Sequence, residues 1–332
     1  MKRTLKAFLA AAVALLPMAT ITPGTAAARG VGECSWTQAT LPLPAGTSWA
    51  DVSAAANGGW VAGSGSHGNA IRWHNGVAED LGRAFGQQTE VNDINASGTA
   101  VGMTYADSFE DDAVVYRDGR FTALPIPPGH RTARALAVND TGDIVGTARG
   151  DGSSFDMTIW PAAAPGTVLT INPDPTLYGD VSAVEIDEQG RILLRASTLR
   201  TDYFVRYPDG TMTKLALGTS YVNGFRNGRI VGDWYENDDF VTAEWDLTGT
   251  VVRRLDTWTN EPAIDSGTRT TGIYRTADDD YALGVWESGV RTHTLLTSPD
   301  SNDVRRPVLT DDGVIATTIG STGATFRHSC PA

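Results

Sequence analysis

A half-apolar run, a turn and a second small residue four places on recur about every 42 residues along this chain, and that period limits the fold more than any single side chain does. The copy at Asn92–Gly102 reads Asn-Asp-Ile-Asn-Ala-Ser-Gly-Thr-Ala-Val-Gly. Seven copies align on the pairs Gly59 and Gly63, Gly98 and Gly102, Gly142 and Gly146, Gly190 and Leu194, Gly228 and Gly232, Thr268 and Gly272, and Gly313 and Thr317. Before each turn stands a run such as Val91-Asn92-Asp93-Ile94, and after it one such as Asp143-Ile144-Val145-Gly146. Two short runs joined by Gly, Asn and Asp predict a β-hairpin at the start of every copy.

Ten to fourteen residues further on, each copy carries a ring in a third strand: Trp73, Tyr116, Trp160, Tyr207, Trp245, Trp286 and His328. Turns such as Asp118-Gly119 and Ser288-Gly289 then lead to a fourth strand marked by Leu81, Leu124, Leu169, Leu215, Leu255 or Leu295. Four antiparallel strands per copy, buried only by stacking on neighbours, predict an all-β, seven-bladed β-propeller of four-stranded antiparallel blades. The seventh copy lacks its fourth strand. Ser35–Pro42 resembles the fourth strands elsewhere, so the ring is expected to be closed by this N-terminal strand.

Lys2, Arg3 and Lys6 before the apolar run Ala7–Leu16, and then Ala26-Ala27-Ala28, read as a secretory signal peptide over residues 1–28. Residues 29–332 are then a single β-propeller domain, secreted and extracellular. Removing the three cations of that segment takes the formal charge from −13 to −16, and Lys214 is the one lysine left. Such a surface repels nucleic acid, and no later stretch is apolar enough to span a membrane, so neither is expected as a partner after signal cleavage. Cys34 and Cys330 stand near the two ends of the exported chain. They are expected to form a disulfide that replaces the hairpin missing at the ring closure.

The form Asp93-Ile94-Asn95-x-x-Gly98-x-x-Val101-Gly102, followed by a third strand with Trp or Tyr, resembles the HAF repeat of predicted bacterial extracellular proteins. The resemblance runs from about Trp49 to Arg327 and is weakest where Leu194 and Thr268 replace glycines. It implies secretion and a repeated all-β fold, and it brings no catalytic residues.

In a four-stranded blade the loop between strands two and three emerges at the same end as the link to the next blade, and loop-borne function is expected there. Three of those loops are acidic and aromatic: Tyr105, Asp107, Asp111 and Asp112; Trp234, Tyr235, Asp238 and Asp239; and Tyr274, Asp278, Asp279 and Asp280. Rings with hydrogen-bond acceptors suit a sugar, and carboxylates alone suit calcium. The bland alternative is solvated loop acids beside rings that pack the blades. No cofactor is expected beyond that candidate calcium. His67, in Gly-Ser-Gly-Ser-His-Gly, lacks the Gly-x-Ser-x-Gly elbow of a serine hydrolase and reads as a loop residue. The expected function is a monomeric extracellular binding or scaffolding module without catalysis, its ligand a glycan or a protein. The alternative is a secreted polysaccharide lyase or hydrolase using loop carboxylates.

Overall fold

A computed structural model describes residues 35–329, apart from 106–110, 151, 153, 198, 219, 237 and 301–302. The signal segment, both cysteines and Asp107 lie outside the described residues. What is described is all-β, with twenty-eight strands and two short 3₁₀ turns. The second copy shows the plan: Gln88–Ile94, Ala100–Tyr105, Asp111–Arg117 and Arg120–Ala123 form one antiparallel meander. The third and fourth copies join into one eight-stranded sheet through a single parallel pairing of Phe155 with Asp180. The strand Ser35–Thr40 pairs antiparallel with Thr322–Ser329, where Gln38 faces Phe326, and completes the last sheet.

Each sheet packs on the next, and the last packs on the first. The hydrophobic clusters accordingly straddle copies. Val101, Ala113 and Val115 of the second copy meet Ala133, Ile144 and Trp160 of the third, and Leu41, Val52 and Ile71 meet Ala316 of the seventh. The third-strand tryptophans add a polar tie: the indoles of Trp73 and Trp160 donate to the carbonyls of Pro42 and Pro125, both 2.8 Å away, in the segments that lead into their copies.

The second glycine of the repeat has a physical cause in the first, innermost strand. Every one of these strands carries a register shift at the same place, as between Val52 and Ala54, Val91 and Asp93, or Ala135 and Ala137. The bulge throws a carbonyl against the second glycine of the motif. A Cβ on Gly102 would sit 1.9 Å from the carbonyl oxygen of Glu90, so no side chain fits. The bulged residue itself reaches the neighbouring sheet: Ser53 Oγ donates to the carbonyl of Val91 at 2.5 Å, and Asn92 Nδ2 to that of Ala135 at 2.8 Å.

The turn glycines Gly98 and Gly142 have φ of 78° and 88°, a left-handed backbone that glycine adopts without strain. Asn95 caps its turn by accepting the amides of Ser97 and Thr99 at 3.1 and 3.0 Å. Its Nδ2 donates to the carbonyl of Asn139, 2.9 Å away in the next copy.

Two third-strand positions differ from the expected ones. Arg206, and not Tyr207, faces Ile192 in the fourth copy, and Phe326, and not His328, faces Ile315 in the seventh. Register follows the hairpin hydrogen bonds and not the nearest ring, so both positions shift, by one and two residues.

Candidate functional site

The bulged inner strands surround a cavity of about 330 Å³ on the axis of the ring, lined by residues of all seven copies, among them Ser53, Asn92, Asp93, Glu185, Asn223, Glu261 and Arg306. Asp93 and Glu185 occupy equivalent places just after the bulge, where other copies have Ala54, Ala137 and Ala263. The Asp93 carboxylate accepts the amides of Val138 at 2.7 Å and Ile94 at 2.8 Å, and Glu185 accepts that of Phe225 at 2.6 Å. Each acid therefore ties its copy to the next.

Burial at this narrow place pushes both carboxyl groups up to about 7, against the lowering influence of those amides and of Arg226. Arg226 stands among acids, with Asp311 at 3.6 Å. Burial acts against its charge, but Glu185, Asp311, Asp93 and Glu188 outweigh that and hold it more firmly protonated.

At the end where the second-to-third loops emerge, the axial cavity shares Ser53 and Arg306 with a cleft of about 500 Å³ between the first and second copies. Trp49, Asp51, His67, Arg83 and Glu90 line this cleft. Two lining residues have left-handed backbones without being glycine: His67 with φ 67° and Arg306 with φ 51°. Arg306 precedes Pro307, and its amide donates to Glu261 Oε2 at 2.6 Å, a bond that helps hold it there. Glu261, also at a bulge and before a proline, has φ 51°.

The described sequence-derived candidates occupy three separate hairpin ends, and none of these lines either space. In the second copy Asp111 is buried and bonds Arg134 across the sheet boundary at 2.5 Å, while Asp112 faces Thr104. Tyr105 is partly exposed, and its hydroxyl donates to Glu90 at 2.5 Å; burial first, and then Glu90, push that hydroxyl up to about 12. In the sixth copy Tyr274 is buried against Trp286 with Arg291 over its ring, Asp279 pairs with Arg275 at 2.9 Å, Asp280 closes the turn with Thr276, and Asp278 is exposed. Among the described residues no group of three or more His, Cys, Asp or Glu is placed to hold a metal ion.

The fifth copy differs. Tyr235, Phe240 and Trp258 stand in a row on the surface, 55%, 43% and 38% exposed, with ring centres 5.2 and 5.6 Å apart. Trp258, in the link to the sixth copy, bonds the carboxyl of Asp233, which burial raises above its ordinary range. Asp239 and the left-handed Asp238 flank the row, and Trp234 lies beneath Arg254, which pairs with Glu236 at 2.5 Å. Phe240 and Trp258 were not read from the sequence as site residues. Trp258 follows the fourth strand, outside the acidic loop pattern, although links to the next blade share that end of the ring.

Sheets stacked around an axial cavity, each an antiparallel meander, define a β-propeller. Solved structures agree. The chain is similar to one from a mitotic checkpoint complex, with TM-score 0.58 and 12% identity, covering 95% of this chain and 100% of that one. It is also similar to a streptogramin B lyase, with TM-score 0.55 and 10% identity, covering 89% and 98%. A third is TolB from Acinetobacter baumannii, with TM-score 0.50 and 10% identity, covering 73% and 65%. Likeness at such identity shows the fold alone, and propellers of this kind include binding proteins as well as enzymes. No family model matches the sequence, and no curated protein matches it.

Proposed function

We propose that this protein is a secreted, seven-bladed propeller of the HAF-repeat type that binds a glycan on its loop-bearing face. The observation that carries the reading is the exposed row Tyr235, Phe240 and Trp258. Trp49, Phe85, Tyr105 and Tyr221 are exposed too, but among the described residues no ring contact joins them to another ring, whereas these three stand against one another in water, an apolar patch with no packing role. Ring faces bordered by carboxylate acceptors complement the C–H faces and hydroxyls of a sugar chain.

The test is titration of the purified protein with a panel of neutral and acidic oligosaccharides. Trp258→Ala and, separately, Phe240→Ala are expected to weaken the best binder about tenfold or more while leaving the melting temperature close to the parent's. Failure of every oligosaccharide to bind, or equal binding by both variants, would sink the reading.

The count of seven blades is supported by twenty-eight strands, and by the ladder that ends at Ser35 opposite Ser329. The next residues in sequence are Cys34 and Cys330, which lie outside the described residues. Peptide mapping without reductant is expected to recover them linked. Two free thiols would remove the covalent closure.

A second reading, a glycan-active enzyme, is favoured by one observation: Asp93 and Glu185 share a cavity with carboxyl groups near 7, the range a general acid needs at neutral pH. Release of reducing ends or unsaturated products, lost in Asp93→Asn, would establish it.

A further inference from the structure

The cleft between the first and second copies has more hydrogen-bond donors than its own acceptors use. Its two acids are engaged: Asp51 with Arg305 at 3.3 Å and Glu90 with the hydroxyl of Tyr105 at 2.5 Å. The guanidinium of Arg306 and the imidazole of His67 have no partner among the described residues. Arg83 donates to the carbonyl of His67 and has further N–H groups to spare.

Two arginines, Arg83 and Arg306, thus line the cleft without bonding its two carboxylates, in a chain whose formal charge is −13, while Arg305, which takes Asp51, stands outside the lining. A guanidinium without an acid partner on an acidic protein, carried at Arg306 on left-handed backbone, has no structural use here. A guanidinium so placed matches a carboxylate in two parallel N–H···O bonds. Trp49, 41% exposed, supplies a ring in the same cleft, and a space of about 500 Å³ suits a short oligomer.

We propose that this cleft binds the carboxylate of a uronic-acid-bearing saccharide, with Arg306 and Arg83 on the carboxylate and Trp49 against the sugar ring. This rests on the saccharide reading above but uses a different part of the ring, and it makes the preferred sugar an acidic one. Because the field of the whole chain repels anions, the attraction is local and weakens as salt rises.

The experiment titrates the full protein with galacturonic acid trimer, its methyl ester and a neutral galactose trimer, following tryptophan emission and heat. The acid trimer is expected to bind about tenfold or more tightly than its ester. Arg306→Gln, and Arg83→Gln as a second variant, are expected to bring the affinity for the acid trimer down to that for the ester. Equal affinity for acid and ester, or a preference that survives both substitutions, overturns the proposal. Loss of neutral-trimer binding in Trp258→Ala reports on the aromatic row alone, so the two readings fail separately.

Discussion

Gly146→Ala is expected to destabilise the protein by about 4 kcal/mol or more, enough to leave the third copy's hairpin unformed at moderate temperature. The added Cβ would lie 1.9 Å from the carbonyl oxygen of Arg134, and backbone, unlike a flexible side chain, cannot step aside. The same contact recurs at 1.7 Å for Gly63 with Asp51, 1.9 Å for Gly102 with Glu90 and 2.0 Å for Gly232 with Tyr221. Relieving it means flattening the bulge, and the bulge aims Asn92 and its equivalents at the neighbouring sheet. Gly119→Asn is the control, because nothing lies within 4 Å of a Cβ there and asparagine tolerates φ of 77°. Urea unfolding in which Gly146→Ala falls within 1 kcal/mol of the parent, on the order of an ordinary helix or strand substitution, would show that the bulge yields freely. Leu194, opposite Ala183 in the fourth copy, and Thr317 in the seventh occupy this place, and nothing in their ladders explains the two exceptions.

Stability should rise as pH falls from 8 to 5, by on the order of 2–4 kcal/mol, or roughly 5–10 °C in melting temperature. The sign follows from Asp93 and Glu185. Their folded carboxyl groups titrate near 7 and their unfolded ones near 4, so between those values the folded state holds protons that the unfolded state has released. Raising pH through 7 therefore charges two half-buried groups at a cost to the fold. The gain stops below about pH 4, where the unfolded chain takes up the same protons and acids held low in the fold, such as Asp202 and Asp256, begin to lose their stabilising charge. Relief of general repulsion near the isoelectric point has the same sign, so the variants decide the cause. Glu185→Gln keeps an oxygen for the amide of Phe225 and Asp93→Asn keeps one of the two oxygens that accept amides, so the double variant is expected to lose some stability at every pH and to flatten the slope. A double variant with an unchanged slope would assign the effect to net charge.

Much of the architecture was legible because a propeller blade repeats its hydrogen-bond pattern. The paired glycines, the closing strand Ser35–Thr40 and the third-strand rings Trp73, Tyr116, Trp160, Trp245 and Trp286 all lie where the repeat puts them. Arg206 and Phe326 are not legible from the repeat, because a ring stands one or two residues further on while register follows the hairpin hydrogen bonds. The axial acids left a signal that was readable: a carboxylate just before the apolar Ile94 and Ile186, where Ala54 and Ala137 stand in other copies.

The sequence by itself determined the strand order, the four-strand unit and the place of each turn, since all of these depend on residues a few positions apart. Only the tertiary structure decided which side chains share a space. Trp49 and His67 come from the first copy, Arg83 from the link to the second and Arg306 from the seventh, more than 200 residues away. No spacing along the chain connects them, because what brings them together is closure of the ring, a contact between its two ends.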